Sequence, residues 1–516
     1  MISHKSYKCM NNNNLTYAAN TPEAALPLGG AGRGASIILD EKAMQKTAYE
    51  RNENLVLYIL DSFLLNIENK KDLIESIFDA SGNKSNAERA VRELVSKHVT
   101  LAVEGKLSVI DYSQKSMAKQ TVYLFVGTHW SIIDSQDYYD FVKKAAKKMG
   151  LEDLYAEDTD FMNKVFERVA FRVMGKRRFT CPEGEIWINF LNCTLEVHED
   201  GNVIQREHNA EDFFTYVLPY NYNPEAECTR WHMFLDRVMH EKEAQLLLAE
   251  YIVYCYTQNM KLEKMAVFYG GGCNGKSVAL DVIEALMGKS NVSNVSLSDV
   301  TLDDEKRAQI ENKLVNISTE SDGKLDYAIL KQLVSGEKVN VRVLYKGTHS
   351  ISRYAKFITS FNHLPKSEGT FGFFRRWILF PFNVTIPEDE QDIDLTKKLC
   401  TELSGIFNWV LEALINLLRT RAFSHSELCD GALSEYKKQS NSVLLFMYEK
   451  CEISNDATIK LSELYSKYAS FCREEEIVNK FGKKSFQEII KGFGATPSIC
   501  SNQTVYNIKI KDDTDE

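Results

Sequence analysis

The residues with the clearest chemistry lie in one run, Gly270-Gly-Gly-Cys-Asn-Gly275-Lys276-Ser277. This Gly-x-x-x-x-Gly-Lys-Ser spacing suits phosphate oxygens. Glycines at 270, 272 and 275 let main-chain N–H groups approach an anion with no Cβ in the way. Asn274 sits inside the turn, Lys276 would reach the outer phosphates of a nucleotide, and the Ser277 hydroxyl would hold Mg²⁺. Gly270, Gly272, Asn274, Gly275, Lys276 and Ser277 are therefore the expected phosphate and metal binders.

Such a loop works only between a strand and a helix, and the flanks supply both. Met265 to Tyr269 is an apolar β-run, and an amphipathic helical pattern starts at Lys276. A second strand, Lys313-Leu-Val-Asn-Ile-Ser, ends in Thr319-Glu320-Ser321, with Asp322 the nearest other carboxylate. Glu320 is placed to support the metal and polarise water, or simply to cap a strand end. A third strand, Ala355 to Phe361, ends at Asn362, which would touch the terminal phosphate or start a turn before Pro365.

Between these strands Val339, Val341 and Val343 alternate with Asn340, Arg342 and Leu344, then reach Lys346-Gly-Thr-His349. This is a β-hairpin with a basic tip, either a solvated surface element or a finger for a nucleic-acid phosphate. Arg375 and Arg376 directly precede the apolar strand Trp377-Ile-Leu-Phe380. They form a salt-bridged pair beside a core strand, or supply a guanidinium to phosphate charge in a neighbouring subunit.

The rest of the chain bounds the reading. At 516 residues it needs several domains; 44% hydrophobic and 26% charged residues are ordinary for a globular protein. No apolar run approaches the roughly 18–20 residues that span a bilayer. The first twenty residues lack the apolar core of a secretion signal, so a cytoplasmic protein with no membrane partner is expected. Eleven cysteines form no C-x-x-C pair, and Cys181, Cys193 and Cys228 lack His partners at ligand spacing. They read as reduced core thiols. The net charge of −10 confines any nucleic-acid contact to local basic residues.

The organisation reads as a flexible tail (1–40), a helical N-terminal region (41–120) and an α/β domain (121–225). A helical collar (226–262), an α/β parallel-sheet motor (263–425) and a C-terminal domain (426–516) follow. The last reads helix, helix, strand, as in a winged helix. There, Lys483, Lys484 and Lys491 would meet duplex DNA, or the tail would merely pack on the motor.

Taken in order, the phosphate loop, Glu320, Lys331 to Lys346, Asn362 in FNHLP and RRWILFPF resemble the superfamily 3 helicases. The series is most similar to the helicase half of phage and plasmid primase-helicases, the group that includes the poxvirus enzyme. The likeness runs from about Trp187, through INFLNCTLEV and FTYVLPYNYNPEAECTRWHMFL, to the end.

The resemblance implies a P-loop, AAA+-like motor using ATP and Mg²⁺, with Gly275, Lys276 and Ser277 binding nucleotide. Ser277 and Glu320 would hold the metal, Glu320 would also support catalysis, and Asn362 would sense the nucleotide. Arg376, with Arg375 beside it, would be the arginine finger; Lys346, His349 and Arg342 would contact DNA. It further implies a homo-hexamer moving 3′-to-5′ on single-stranded and forked DNA in the replication of a mobile element, with a separate primase as a possible partner.

The sequence departs from the family in three places. Thr319 precedes Glu320 where two acids are common, Asn192-Cys193 stands for Asn-Gly, and the first 120 residues show neither paired metal-binding acids nor a zinc module. No primer synthesis is therefore expected. The alternatives are a primase-helicase with cryptic primase activity, and a nucleotide-switched DNA-binding initiator or regulator.

Overall fold

The computed structural model describes residues 55–110, 121–174, 179, 181–257, 260–319, 324–343, 347–365, 371–454, 456–475, 477, 480–500 and 503–511. The chain divides into two compact units between Tyr222 and Asn223. Glu320, Asp322, Lys346 and the expected tail 1–40 lie outside the described residues.

The first unit opens with α1 (Leu55–Phe63), α2 (Lys71–Ala80) and α3 (Lys84–Ala102). An antiparallel sheet follows, of β1 (Leu107–Ile110), β2 (Thr121–Phe125) and β3 (Trp130–Ile133). Then come α4 (Ser135–Lys148), α5 (Thr159–Val173) and a second antiparallel sheet of β4 (Glu185–Asn189), β5 (Thr194–His198) and β6 (Val203–Arg206). Asn83 caps α3 by accepting from the Ser85 amide, and Val91, Val95 and Val99 form one fully buried stripe. That stripe shares a core with Val165 and Val169 of α5 and Val122 and Leu124 of β2. The regions 41–120 and 121–225, read separately from sequence, thus share this core, because each amphipathic face is buried only against the other.

The second unit begins with α6 (Thr229–Val238) and α7 (Lys242–Tyr254). Its sheet uses β7 (Met265–Tyr269), β8 (Val292–Ser293), β9 (Val315–Thr319), β12 (Lys356–Phe361) and β13 (Trp377–Pro381). All pairings are parallel, in the order β13-β7-β12-β9-β8. MAVFY and WILFP carry no polar alternation, as expected of strands covered on both faces.

The helix α8 (Lys276–Met287) follows β7, α9 (Tyr327–Val334) follows β9, and the hairpin β10 (Val339–Val343)–β11 (Gly347–Ile351) precedes β12. The expected collar packs directly on this sheet: α7 is buried along most of its length, and its Tyr251 hydroxyl donates to the Phe357 carbonyl in β12 at 2.6 Å. Buried Glu250 of the same helix accepts from Asn416 on α10 (Leu403–Thr420) and from the Ser424 amide and hydroxyl.

Beyond α11 (Glu427–Ser440) the chain builds a separate small core. It runs α12 (Ser442–Lys450), β14 (Cys451–Ile453), β15 (Ile459–Lys460), α13 (Leu461–Glu474), α14 (Lys483–Gly492), β16 (Pro497–Cys500), β17 (Gln503–Tyr506) and β18 (Ile508–Ile510). Phe446, Tyr468, Phe486 and Tyr506 fill it. The helix, helix, strand reading was incomplete, because two- to four-residue strands carry too little periodicity to register.

Candidate active site

The phosphate loop leaves β7 and enters α8. At Gly270 an added Cβ would lie 2.2 Å from Asn274 Nδ2 and 2.3 Å from the Phe382 carbonyl, so only glycine fits. Gly272, Cys273 and Gly275 all have left-handed backbones, with φ of 105°, 47° and 86°. At Gly275 a Cβ would also come within 2.9 Å of Val238. Among the described residues, the amides of Gly271 to Gly275 donate to no main-chain carbonyl. They are available to an anion at the positive end of the α8 dipole.

Lys276 is 6% exposed. Its ammonium donates to the Gly270 carbonyl (2.6 Å), Asn274 Oδ1 (3.0 Å) and Asn362 Oδ1 (3.2 Å). Asn274 is fixed in turn by donating Nδ2 to the Phe382 carbonyl at 2.9 Å. Parallel pairing of Phe361 with Tyr269 brings Asn362 to the loop, and the Gly270 amide donates to the Phe361 carbonyl. The lysine sits at a helix N-terminus, where the dipole disfavours a cation and favours an anion. The cleft outside the loop, about 1030 Å³, is lined also by Arg230, Phe234, Arg237 and Lys398, room enough for a nucleotide.

Ser277 is exposed at the start of α8 and lines this cleft together with a smaller cavity of about 370 Å³. Asp281, Glu284, Ser296 and Thr319 line the smaller one. Burial, reinforced by Glu284, raises the Asp281 carboxyl above its usual range. Ser277 and Thr319, the last residue before Glu320, therefore share a polar space with carboxylates, which suits a hard cation.

The two arginines part company. Arg376 turns inward: Nε and Nη2 donate to Ser335 Oγ at 3.1 and 2.9 Å, and Nη1 donates to the Gly372 carbonyl at 2.5 Å. Its side chain is 12% exposed. Arg375 is 51% exposed, and its Nη2 lies 3.0 Å from Glu263 Oε2. The sequence reading named Arg376 as the arginine finger with Arg375 beside it; of the two, Arg375 is the one at the surface.

On the hairpin, Val339 and Val341 are buried while Asn340 and Arg342 are exposed, as the alternation requires. Arg342 Nε lies 3.4 Å from Glu305, and His349 Nε2 lies 3.1 Å from Glu311. Both expected DNA contacts are thus engaged with acids of their own unit.

Sequence reasoning missed Arg230, Arg237 and Asp281. Asp281 had a signal, one helical turn after Ser277 on the same face. Arg230 and Arg237 had none, because α6 lies more than thirty positions upstream of the loop. Glu402 positions α6 by accepting from the Arg230 and Trp231 amides.

Residues 111–240 match the family model described as D5 N terminal like, and residues 268–376, from β7 through Arg376, match a family of unknown function, DUF5906. No curated protein matches the chain. Among solved structures, it is similar to the A-form apo structure of the NrS-1 C-terminal region, at 13% identity and a TM-score of 0.47, covering 81% of this chain and 98% of that one. Another apo structure of the same region aligns at 13% identity and a TM-score of 0.44, over 81% and 99% of the two chains.

Proposed function

We propose that this primase-helicase-like replication protein is an ATP-driven DNA helicase. Its second unit would be the P-loop, AAA+-like motor, working as a hexameric ring that moves 3′-to-5′ on single-stranded DNA, and its C-terminal core a winged helix. The observation that carries this reading is the buried Lys276 ammonium, shared by the phosphate loop and Asn362 across adjacent strand ends.

On binding, Lys276 would exchange these neutral acceptors for phosphate oxygens. Charge-assisted hydrogen bonds are roughly twice as strong as neutral ones. The exchange would free Asn362 Oδ1, so that this side chain reports nucleotide state to β12. Ser277 and Glu320 would hold Mg²⁺, whose bound charge neutralises the phosphates. Arg375, on the surface, would act on the nucleotide of a neighbouring subunit. Lys346 would be the leading DNA contact; Arg342 and His349 would join it by leaving Glu305 and Glu311. No helix among the described residues is long and apolar enough to cross a membrane.

Unwinding of forked DNA carrying one or the other overhang, beside mass measurement with a non-hydrolysable ATP analogue, tests the reading. DNA-stimulated hydrolysis, unwinding only with a 3′ overhang and a six-subunit mass are expected. ATPase indifferent to DNA, in a protein that stays monomeric, would contradict it.

A further inference from the structure

Among the described residues, the hairpin β10–β11 forms a two-stranded sheet of its own, with no pairing to the five-stranded sheet. It must therefore be held from elsewhere. The grip comes from the segment between β8 and β9, which runs as a helix, Leu297–Leu302, and a helical turn, Asp304–Arg307. Arg307 ends that turn and is 7% exposed. Its Nε donates to the Val300 carbonyl at 2.7 Å, its Nη2 to the Thr301 carbonyl at 2.8 Å and its Nη1 to the Asn340 carbonyl of β10 at 2.9 Å. One planar fork thus joins the carboxyl end of a helix to a hairpin strand 33 positions along the chain. Two residues before it, Glu305 lies 3.4 Å from Arg342 on the same strand.

The other end of this segment belongs to the nucleotide side. Ser296 lines the cavity of about 370 Å³ together with Ser277, Asp281 and Thr319. Its hydroxyl caps the helix Leu297–Leu302 by accepting from the Asp299 amide at 3.1 Å. The residues before it are tied to β9 by Asn316, which is fully buried. Asn316 Oδ1 accepts from the Ser293 hydroxyl (2.9 Å) and the Val295 amide (3.0 Å), and Nδ2 donates to the Val295 carbonyl (2.9 Å). The strand β9 itself ends at Thr319, in the same cavity. Helix and turn therefore form one packed body, with the cavity at its near end and the hairpin at its far end. Close-packed elements pass a displacement on rather than absorb it. Burying a guanidinium is costly. What it gives here is a rigid, always-charged fork that bonds three carbonyls of two elements at once, which an ammonium cannot do.

We propose that Arg307 is a positioning residue that couples the nucleotide site to the hairpin. It makes the helix Leu297–Leu302 and β10 move as one, so that a phosphate or metal taken up beside Ser277 shifts the hairpin and the nucleic-acid contact it carries. The proposal rests on the motor reading and assigns the transmitting residue within it. Arg307 lines neither cavity and acts only through the elements it joins. Glu305 does the lesser part, because its pair with Arg342 is exposed and such pairs contribute little.

The test uses the full chain and the variant Arg307→Lys, which keeps the charge and loses the fork. Fluorescent oligo-dT and a non-hydrolysable ATP analogue are each titrated alone and with the other saturating. In the parent each ligand should change the other's affinity by the same factor, on the order of tenfold. In Arg307→Lys the affinity for each ligand alone should stay within about threefold of the parent, while the mutual factor falls below about twofold. DNA-free turnover should be kept and its stimulation by oligo-dT lost. A mutual factor kept at the parent's value overturns the proposal. So do single-ligand affinities that fall along with the factor, since that is the mark of a merely structural role. Hydrogen exchange on the parent reads the same coupling even where the variant fails to fold: the analogue should change protection of residues 297–302 and 339–343 together. A change confined to one of the two overturns the proposal. A parent in which neither ligand affects the other removes the motor reading, and this proposal with it.

Discussion

The parallel sheet of the second unit carries buried or half-buried lysines at both ends, and the two ends differ in what surrounds them. At the carboxyl end Lys276 sits in a roomy cleft of about 1030 Å³, on a glycine loop whose backbone only glycine tolerates at Gly270. At the amino end Lys264, Lys313 and Lys356 come from three separate strands and line a cramped space of about 40 Å³. One end has room for a ligand and the other is nearly filled by its own side chains. The difference teaches that a one-directional sheet has two chemically distinct faces, which a head-to-tail assembly would bring together. A self-facing pair would set like against like.

The largest effect that sharpens this contrast is at Lys276. Lys276→Ala should abolish phosphate release, by more than about a thousandfold, since on the proposed reading the ammonium would touch the reacting phosphates. Lys276→Met should abolish it equally yet raise thermal stability in nucleotide-free protein by about 1 kcal/mol, because it removes a buried cation from a helix N-terminus. Calorimetry beside a phosphate-release assay checks this; a stability loss in Lys276→Met would mean that the hydrogen bonds of the loop satisfy the charge unaided.

Next come the arginines. Arg375→Ala should keep nucleotide affinity and melting temperature while turnover falls at least on the order of a hundredfold. Arg376→Ala should instead destabilise by about 2 kcal/mol, because Ser335 and the Gly372 carbonyl lose their partner. Denaturant titration and steady-state kinetics on both variants separate the roles; the reverse pattern would restore Arg376 as the arginine finger.

How much of this was legible beforehand depends on whether the chemistry was contiguous. The phosphate loop, the strands at 265–269 and 313–319 and the alternation at 339–343 were readable, because each is a local pattern with a local cause. Asn362 was readable by its place at a strand end, and parallel register then delivers it to Lys276. Which arginine faces outward was not: adjacent residues before a strand point in different directions, and only Ser335, 41 positions away, decides that Arg376 turns in. The cramped space at the amino end was invisible for the same reason, since its cations span Lys261 to Lys356 and become neighbours only through the strand order β7-β12-β9. The shared core of the first unit likewise depends on helices α3 and α5, more than fifty residues apart.

A third prediction concerns the loop itself. Gly270→Ala should cost about 3 kcal/mol of unfolding free energy, since its Cβ meets a main-chain oxygen as well as a side-chain amide. Gly271→Ala, whose Cβ would meet nothing within 4 Å, should stay near neutral. Equal losses in urea titrations would mean that the loop is held by something other than close approach at Gly270.

The smallest effect expected is a pH dependence confined to the amino end. Burial pulls the Lys356 ammonium down to about 8, from an ordinary value near 10.5. Between those values the unfolded chain binds more protons than the folded one, so this residue's contribution to stability rises with pH across that window. Below about 8 the burial cost is fully present. The groups around Lys356 do not confuse the reading: the Cys255 thiol and the Tyr254 phenol are each pushed up to about 12 and stay neutral, while Lys264 and Lys313 are lowered and act in the same direction. Urea unfolding of the parent and of Lys356→Met at fixed ionic strength should therefore show the variant's stability advantage in full below about pH 8 and shrinking as pH rises toward about 10. An advantage that does not change with pH would mean that the Lys356 ammonium is not destabilised by burial and that the two ends of the sheet differ less than their side chains suggest.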